Sequence, residues 1–328
     1  SWTEVDAGWR YVSWISNGLM YVAHSQFGFW GLTLLQAMLY MGVVGLYLHL
    51  ASHRRGRIDP LDLLLVSVVF LSMKASAVHP KPEMFTIFYF ATAVWIYVRA
   101  RETGVDRFWL LVPLYWLWVN SHGAVLIGFL LIGVLLAGET IARWVGTGLP
   151  TRSYRRLWIF GSLAIAVTAL NPAGPQMIVD WVRTMLTYTE TNETMRIDAL
   201  SSRWDSLLPT SVFGAVKATA GWLLITMFVA QVGGFLLRLR RREPIDPSIA
   251  LASLVFFVFA MQMARGGLYY PLLFLMTIGL ASGPKTLPLA LPSRAPVPSG
   301  IALAGLALLS IGLHFTAVAP LRWGGQGH

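Results

Sequence analysis

Residues Leu117 to Gly138 read LWVNSHGAVLIGFLLIGVLLAG. They contain no Asp, Glu, Lys or Arg, and one polar quartet, Asn120-Ser121-His122-Gly123, interrupts an otherwise apolar run. Hydrocarbon admits a backbone whose own helix satisfies its N–H and C=O groups, so two apolar stretches meeting at a tight polar turn read as two bilayer-crossing helices and their connection. The first of these helices is expected to end at residue 120 and the second to cover 122–145. The glycines of GFLLIGVLLAG, from Gly128 to Gly138, suit close helix packing rather than phosphate binding, because no P-loop pattern and no strand–helix context accompany them.

The same pattern recurs along the chain. Of 328 residues, 56% are hydrophobic and 12% charged, which leaves too little polar surface for a soluble domain of this length. The expected fold class is an all-α integral membrane protein of about ten transmembrane helices, at 27–50, 60–78, 84–100, 107–120, 122–145, 156–172, 217–240, 246–264, 266–283 and 299–318. The fourth is short enough to be tilted or half-inserted. The organisation that follows is an interfacial segment over 1–26, spans one to six over 27–172, a loop over 173–216, spans seven to ten over 217–320, and a tail over 321–328. Residues 1–26 lack the basic start and unbroken apolar core of a signal peptide, and a further helix is expected before them. The absence of cysteine excludes disulfides and thiolate metal sites.

The formal charge of +10 is better suited to anionic lipid headgroups than to nucleic acid, because basic loops set membrane topology. One set of loops and flanks holds 16 of the 25 basic residues against seven acids; the other holds nine against eight. Arg54, Arg55, Arg57, Arg99, Arg101, Arg107, Arg143, Arg152, Arg155, Arg156, Arg238 and Arg240 to Arg242 belong to the first set, with Lys285 and Arg294. That side is expected to be cytoplasmic, which puts both visible termini outside. Trp2, Trp9, Trp14 and Tyr21 suit an interfacial segment, and Met177, Ile178, Trp181, Met185 and Leu186 recur at the spacing of an amphipathic helix in the long outer loop.

The remaining polar groups converge on the outer face. His79-Pro80-Lys81-Pro82-Glu83 joins spans two and three, and its prolines present Lys81 and Glu83 on a stiff turn. Asn120 and His122 sit at the headgroup boundary, where polar groups are costly unless they face a cavity or each other. Asn171-Pro172 ends span six, Arg203 and Asp205 lie in the long outer loop, and Arg265 opens the turn after span eight. Lys81, Arg203 and Arg265 have the chemistry to hold a phosphate, whereas Glu4, Asp6, Glu83 and Asp205 have that of a base or of ligands for a divalent ion. No metal set is assigned, and a divalent cation is compatible with these acids without being required by them. Each residue also has a structural reading: Lys81 snorkelling to headgroups, and His122 as a hydrogen-bonded turn histidine.

Several of these segments, in this order, resemble bacterial polytopic proteins related to the GT-C glycosyltransferases. The likeness rests on residues 9–35 (WRYVSWISNGLMYVAHSQFGFWGLTLL), KPEMF at Lys81 to Phe85, LWVNSHGAVLIGFLLIG at Leu117 to Gly133, LNPAG at Leu170 to Gly174, SSRWDS at Ser201 to Ser206, and the Arg265 turn. The resemblance implies an enzyme of the bacterial inner membrane that takes a sugar from a polyprenyl-phosphate carrier on the extracytoplasmic face. It further implies that Lys81 and Arg265 hold the donor phosphate, that Asn120 and His122 position donor or acceptor, and that Asp6 or Glu4 is the catalytic base. Two departures accompany it: an acid often precedes the family's tryptophan where this chain has Ser13-Trp14, and another where it has Arg203-Trp204. These motivate an alternative, a non-catalytic subunit scaffolding a larger membrane complex. A lipid or solute transporter is the third reading; it calls for internal repeats and midplane charges, and the charges here lie at the surfaces.

Overall fold

In the computed structural model, which describes residues 13–56, 58–77, 80–180 and 212–282, the first helix contains a break at glycine. Helix α1 (Trp14–Arg55) is interrupted at Gly28, whose φ of +60° and ψ of −147° are open to glycine and strained for other residues. A Cβ on Gly31 would overlap the carbonyl oxygen of Ala23, so the 14–27 segment folds closely against the start of 29–55. The second part coincides with the first predicted span. The predicted interfacial segment is helical from Trp14 and leaves Tyr21, Phe27, Phe29 and Trp30 exposed around the break.

The later helices follow the predicted spans closely: α2 (Pro60–Ala77), α3 (Glu83–Thr103), α4 (Leu111–Ser121), α5 (Val125–Trp144), α6 (Thr151–Val167), α7 (Val212–Arg240), α8 (Pro247–Gln262) and α9 (Tyr269–Ser282). Two 3-10 turns, η1 (Phe108–Leu110) and η2 (Ala264–Leu268), precede α4 and α9. No strand occurs among the described residues. The predicted span at 299–318, the tail at 321–328, residues 1–12 and residues 181–211, which include the second half of the predicted amphipathic helix, lie outside the described residues; 176–180 are helical.

Three stretches, Trp14–Arg54, Val125–Trp144 and Thr219–Arg240, are long and apolar enough to cross a membrane. At 1.5 Å per residue α5 reaches about 30 Å, the thickness of a bilayer core, whereas α4 reaches roughly half of that. Exposed apolar side chains fall in helical stripes: Leu34, Met38 and Met41 on α1, Ile159 and Leu163 on α6, Val229 and Leu236 on α7, Leu254 and Val258 on α8. A water-facing helix turns its polar stripe outward; these turn apolar ones outward, as an apolar solvent demands.

Helix α3 is the centre. It buries side chains around its whole circumference, among them Phe85, Ile87, Phe90, Val94, Tyr97 and Val98, and packs against α1, α4, α5 and α9. Helix α5 makes its main contact with α8 at Gly138, where a Cβ would overlap the Cα of Ser248. Gly128 likewise leaves room for the rings of Tyr115 and Trp118, so these two glycines serve close packing, whereas a Cβ on Gly133 would meet nothing within 4 Å. A buried polar triad ties α7 to α9: Gln231 donates to Thr277 at 2.9 Å and accepts from Tyr270 at 3.1 Å.

The acids of the arginine-rich end are ties between elements. Glu139, wholly buried, accepts from Tyr97 at 2.6 Å, from Arg101 at 3.1 Å and from the backbone N–H of Leu149 at 2.9 Å. Arg101 reaches on to Asp246 at 2.6 Å, and Asp246 caps α8 through Ser248 N and Ile249 N. Arg54 pairs with Glu102 and donates to the carbonyl of Met276 at 2.9 Å. Asp106 takes Arg156 and Ser153, Arg238 takes Glu243, and Asp62 accepts from Tyr47. The seven acids counted at this end as topology charges include five that are paired with arginines of the same end.

Candidate functional site

At the opposite end of the bundle, four elements meet through side chains of the NSHG turn. Asn120 is buried, with an exposure of 1%. Its Oδ1 accepts from Trp14 Nε1 at 2.8 Å, and its Nδ2 donates to the carbonyls of Trp116 at 2.8 Å and Leu170 at 3.3 Å. One amide thus joins the start of α1, the end of α4 and the end of α6. Ser16 donates to the carbonyl of Ser121, and the Ser121 hydroxyl pairs with Tyr89 of α3 at 3.2 Å.

His122 leaves α4 in an extended conformation, with its N–H bonded to the carbonyl of Trp118. Its Nδ1 lies 2.9 Å from Thr86 Oγ1, which also accepts from Trp118 Nε1 at 3.0 Å. If the Thr86 proton goes to Nδ1, the neutral ring carries its own proton on Nε2. The imidazole is partly exposed, whereas Trp118 and Thr86 are wholly buried, so the ring is held by one edge at the rim of the core.

Thr86 belongs to the first turn of α3, and that turn continues from Lys81 and Glu83. Lys81 is exposed; Glu83 is the first helical residue and half-buried, where its carboxylate complements the helix N-terminus. The backbone N–H groups of Met84 and Phe85 bond back to the carbonyls of Lys81 and Pro82, so the Lys-Pro-Glu turn is the cap of α3 itself. Asn171 organises the next corner: its Oδ1 accepts from Ala173 N at 2.8 Å, and its Nδ2 donates to the carbonyls of Thr168 and Gly174.

The backbone of Arg265 lies in η2, which packs against α2 and α8. A Cβ on Gly266 would meet the Phe259 carbonyl oxygen at 2.5 Å, so this turn folds back tightly on α8. The Arg265 side chain, together with Glu4, Asp6, Arg203 and Asp205, lies outside the described residues. Among the described residues no group of three His, Asp or Glu converges to hold a metal ion. The framework therefore unites Asn120 and His122 with the α3 turn that follows Lys81 and Glu83.

Sequence reasoning missed Trp14, Ser16, Thr86, Tyr89 and Ser121 as parts of this framework. Ser16 and Tyr89 carry no sequence signal. Thr86 carries one, a hydroxyl in the first turn of an otherwise apolar helix. Comparisons with protein-family models, with curated proteins and with solved structures returned no match.

Proposed function

We propose that this protein is a GT-C-like transferase that moves a sugar from a lipid-phosphate carrier to an acceptor outside a bacterial cytoplasmic membrane. The reading includes ten crossings, with the arginine-rich loops on the cytoplasmic side. The observation that carries it is the hydrogen-bonded end of the bundle. There Trp14, Thr86, Asn120 and His122 frame a rim continuous with the Lys81–Glu83 turn. In this reading Lys81 and Arg265 hold the donor phosphate, His122 orients donor or acceptor, and Glu83, Arg203 and Asp205 complete the polar rim. Asp6 or Glu4 removes the acceptor hydroxyl proton as its oxygen bonds to the anomeric carbon. In the same step the carbon–oxygen bond to the carrier breaks, its electron pair leaves on the phosphate, and the cationic groups stabilise that charge.

The test is binding of a polyprenyl-phosphate sugar to the purified full chain, compared with Lys81→Ala and Arg265→Ala. Loss of binding in both variants, with the fold intact, is the expected result. No binding to the unmodified chain, or unchanged function in both variants, would sink the reading.

A second reading, a non-catalytic scaffold subunit, is favoured by the engagement of Asn120, whose amide bonds three partners within the chain. It expects stable co-purification with other subunits and undiminished function when Glu4, Asp6 and Glu83 are replaced together.

A further inference from the structure

The arginine-rich end contains two arginines, with two histidines and a tryptophan beside them, that its inter-helix ties do not use. His49 and His53 lie one turn apart on α1, and Trp95 and Arg99 lie one turn apart on α3, where these two helices pack along each other. The His49 and Trp95 rings meet edge to face with centroids 5.7 Å apart. Arg99, His53 and Arg107 all act electrostatically on His49. Arginines brought together favour anions beside them. Glu102 is the carboxylate in reach of Arg99 and His53, and its Oε1 is already held by Arg54. Its charge offsets part of theirs, but its buried Oε2 makes no hydrogen bond, so it does not satisfy the donors of Arg99 or His53.

Two buried donors face the same shortage. Arg99 Nη1 and Trp95 Nε1 make no hydrogen bond among the described residues. An unmade bond to a buried donor is expensive, more so for a charged one. His49 is exposed on the flank of α1, in the last turn of the predicted first span. Arg107 leads into η1 just beyond the end of α3. The cluster therefore has an exposed side, formed by His49, His53 and Arg107, where the first and third predicted spans finish; tryptophan and arginine commonly meet lipid at such ends.

We propose that the cluster of His49, His53, Trp95, Arg99 and Arg107 binds a phosphate group, of the kind an anionic phospholipid headgroup presents. Arginine supplies paired N–H donors that match phosphate oxygens, the indole N–H supplies a further donor, and the histidines add charge when protonated. The site lies at the end of the bundle opposite the candidate transferase rim and does not depend on that reading.

The test titrates the full chain in neutral detergent with phosphatidylglycerol, phosphatidylcholine or sodium phosphate. It follows thermal unfolding together with retained lipid by native mass spectrometry. Phosphatidylglycerol should raise the transition and stay bound, and phosphatidylcholine should do neither. Arg99→Gln with Arg107→Gln should weaken that binding by about tenfold or more, the scale of a lost charge-assisted contact. Arg240→Gln with Arg241→Gln, exposed on the same end, should leave it unchanged. A response to sodium phosphate that the first double variant abolishes would support the site and assign it to soluble phosphate. Equal responses to both lipids without a phosphate response, or equal weakening in both double variants, would overturn the proposal. Should Arg99→Gln fail to fold, His53→Gln with Arg107→Gln provides the same comparison at the exposed side of the cluster.

Discussion

Arg101 stands 2.6 Å from Asp246 and, through its other terminal nitrogen, 3.1 Å from Glu139. One guanidinium thereby connects the end of α3 to α5 and to the cap of α8. Removing one partner of a buried charge group leaves the others uncompensated, so Arg101→Met should cost about 3–5 kcal/mol. Glu139→Gln keeps an acceptor for Tyr97 and sets an amide N–H against Leu149 N–H; it should cost less, about 1–3 kcal/mol. Unfolding in detergent measures both. Arg101→Met combined with Glu139→Leu should recover part of the single loss, and strict additivity would show that the two are not coupled.

The helix positions were legible in the sequence because an apolar helix is a local property, readable from a run of consecutive residues. The NSHG turn and the packing glycines were legible for the same reason. What joins the helices was not. Trp14 and Asn120 are 106 positions apart, and nothing in either neighbourhood names the other. The acids at the arginine-rich end counted as charges reducing a topology sum, although their sites are set by partners such as Arg54 for Glu102 and Arg156 for Asp106. The break at Gly28 was half visible: the predicted span starts beside it at 27, but the stretch before it read as an interfacial segment rather than as part of the same helix.

Gly138 and Gly133 look alike in sequence and differ in surroundings. A Cβ at 138 would overlap the backbone of Ser248, whereas one at 133 meets nothing within 4 Å. Gly138→Leu should therefore force α5 from α8 and destabilise the fold by about 1–3 kcal/mol or more. Gly133→Ala should be neutral or stabilising by about 0.5–1 kcal/mol, through the lost chain freedom of glycine. Parallel thermal unfolding of the two variants checks this, and equal effects would refute the contact.

Glu102 lies past the end of the predicted third span, and burial holds its carboxyl above the usual range although Arg54 pulls the other way. A carboxyl with a raised folded value is more readily protonated in the folded protein than in the unfolded chain. Its contribution to stability is complete below the ordinary value of 4.5 and is lost as pH rises through the higher folded value. The melting temperature should thus carry a component that declines as pH increases above about 4.5, and Glu102→Gln should remove that component. A decline of the same size in the variant would assign it to another group.

Thr86 serves Trp118 and His122 with one hydroxyl, and both bonds end with it. Thr86→Val is close in shape but leaves the fully buried indole N–H of Trp118 without an acceptor, at about 1–3 kcal/mol. It also removes the hydrogen bond between residue 86 and His122 Nδ1. Thr86→Ser retains the oxygen and should restore most of both. Stability and function then separate the roles. In the transferase reading Thr86→Val lowers turnover beyond what its folded fraction explains, and His122→Ala abolishes turnover with little change in melting. If His122→Ala instead retains turnover and lowers the melting temperature as much as Thr86→Val does, His122 belongs to the framework and the reacting groups lie elsewhere.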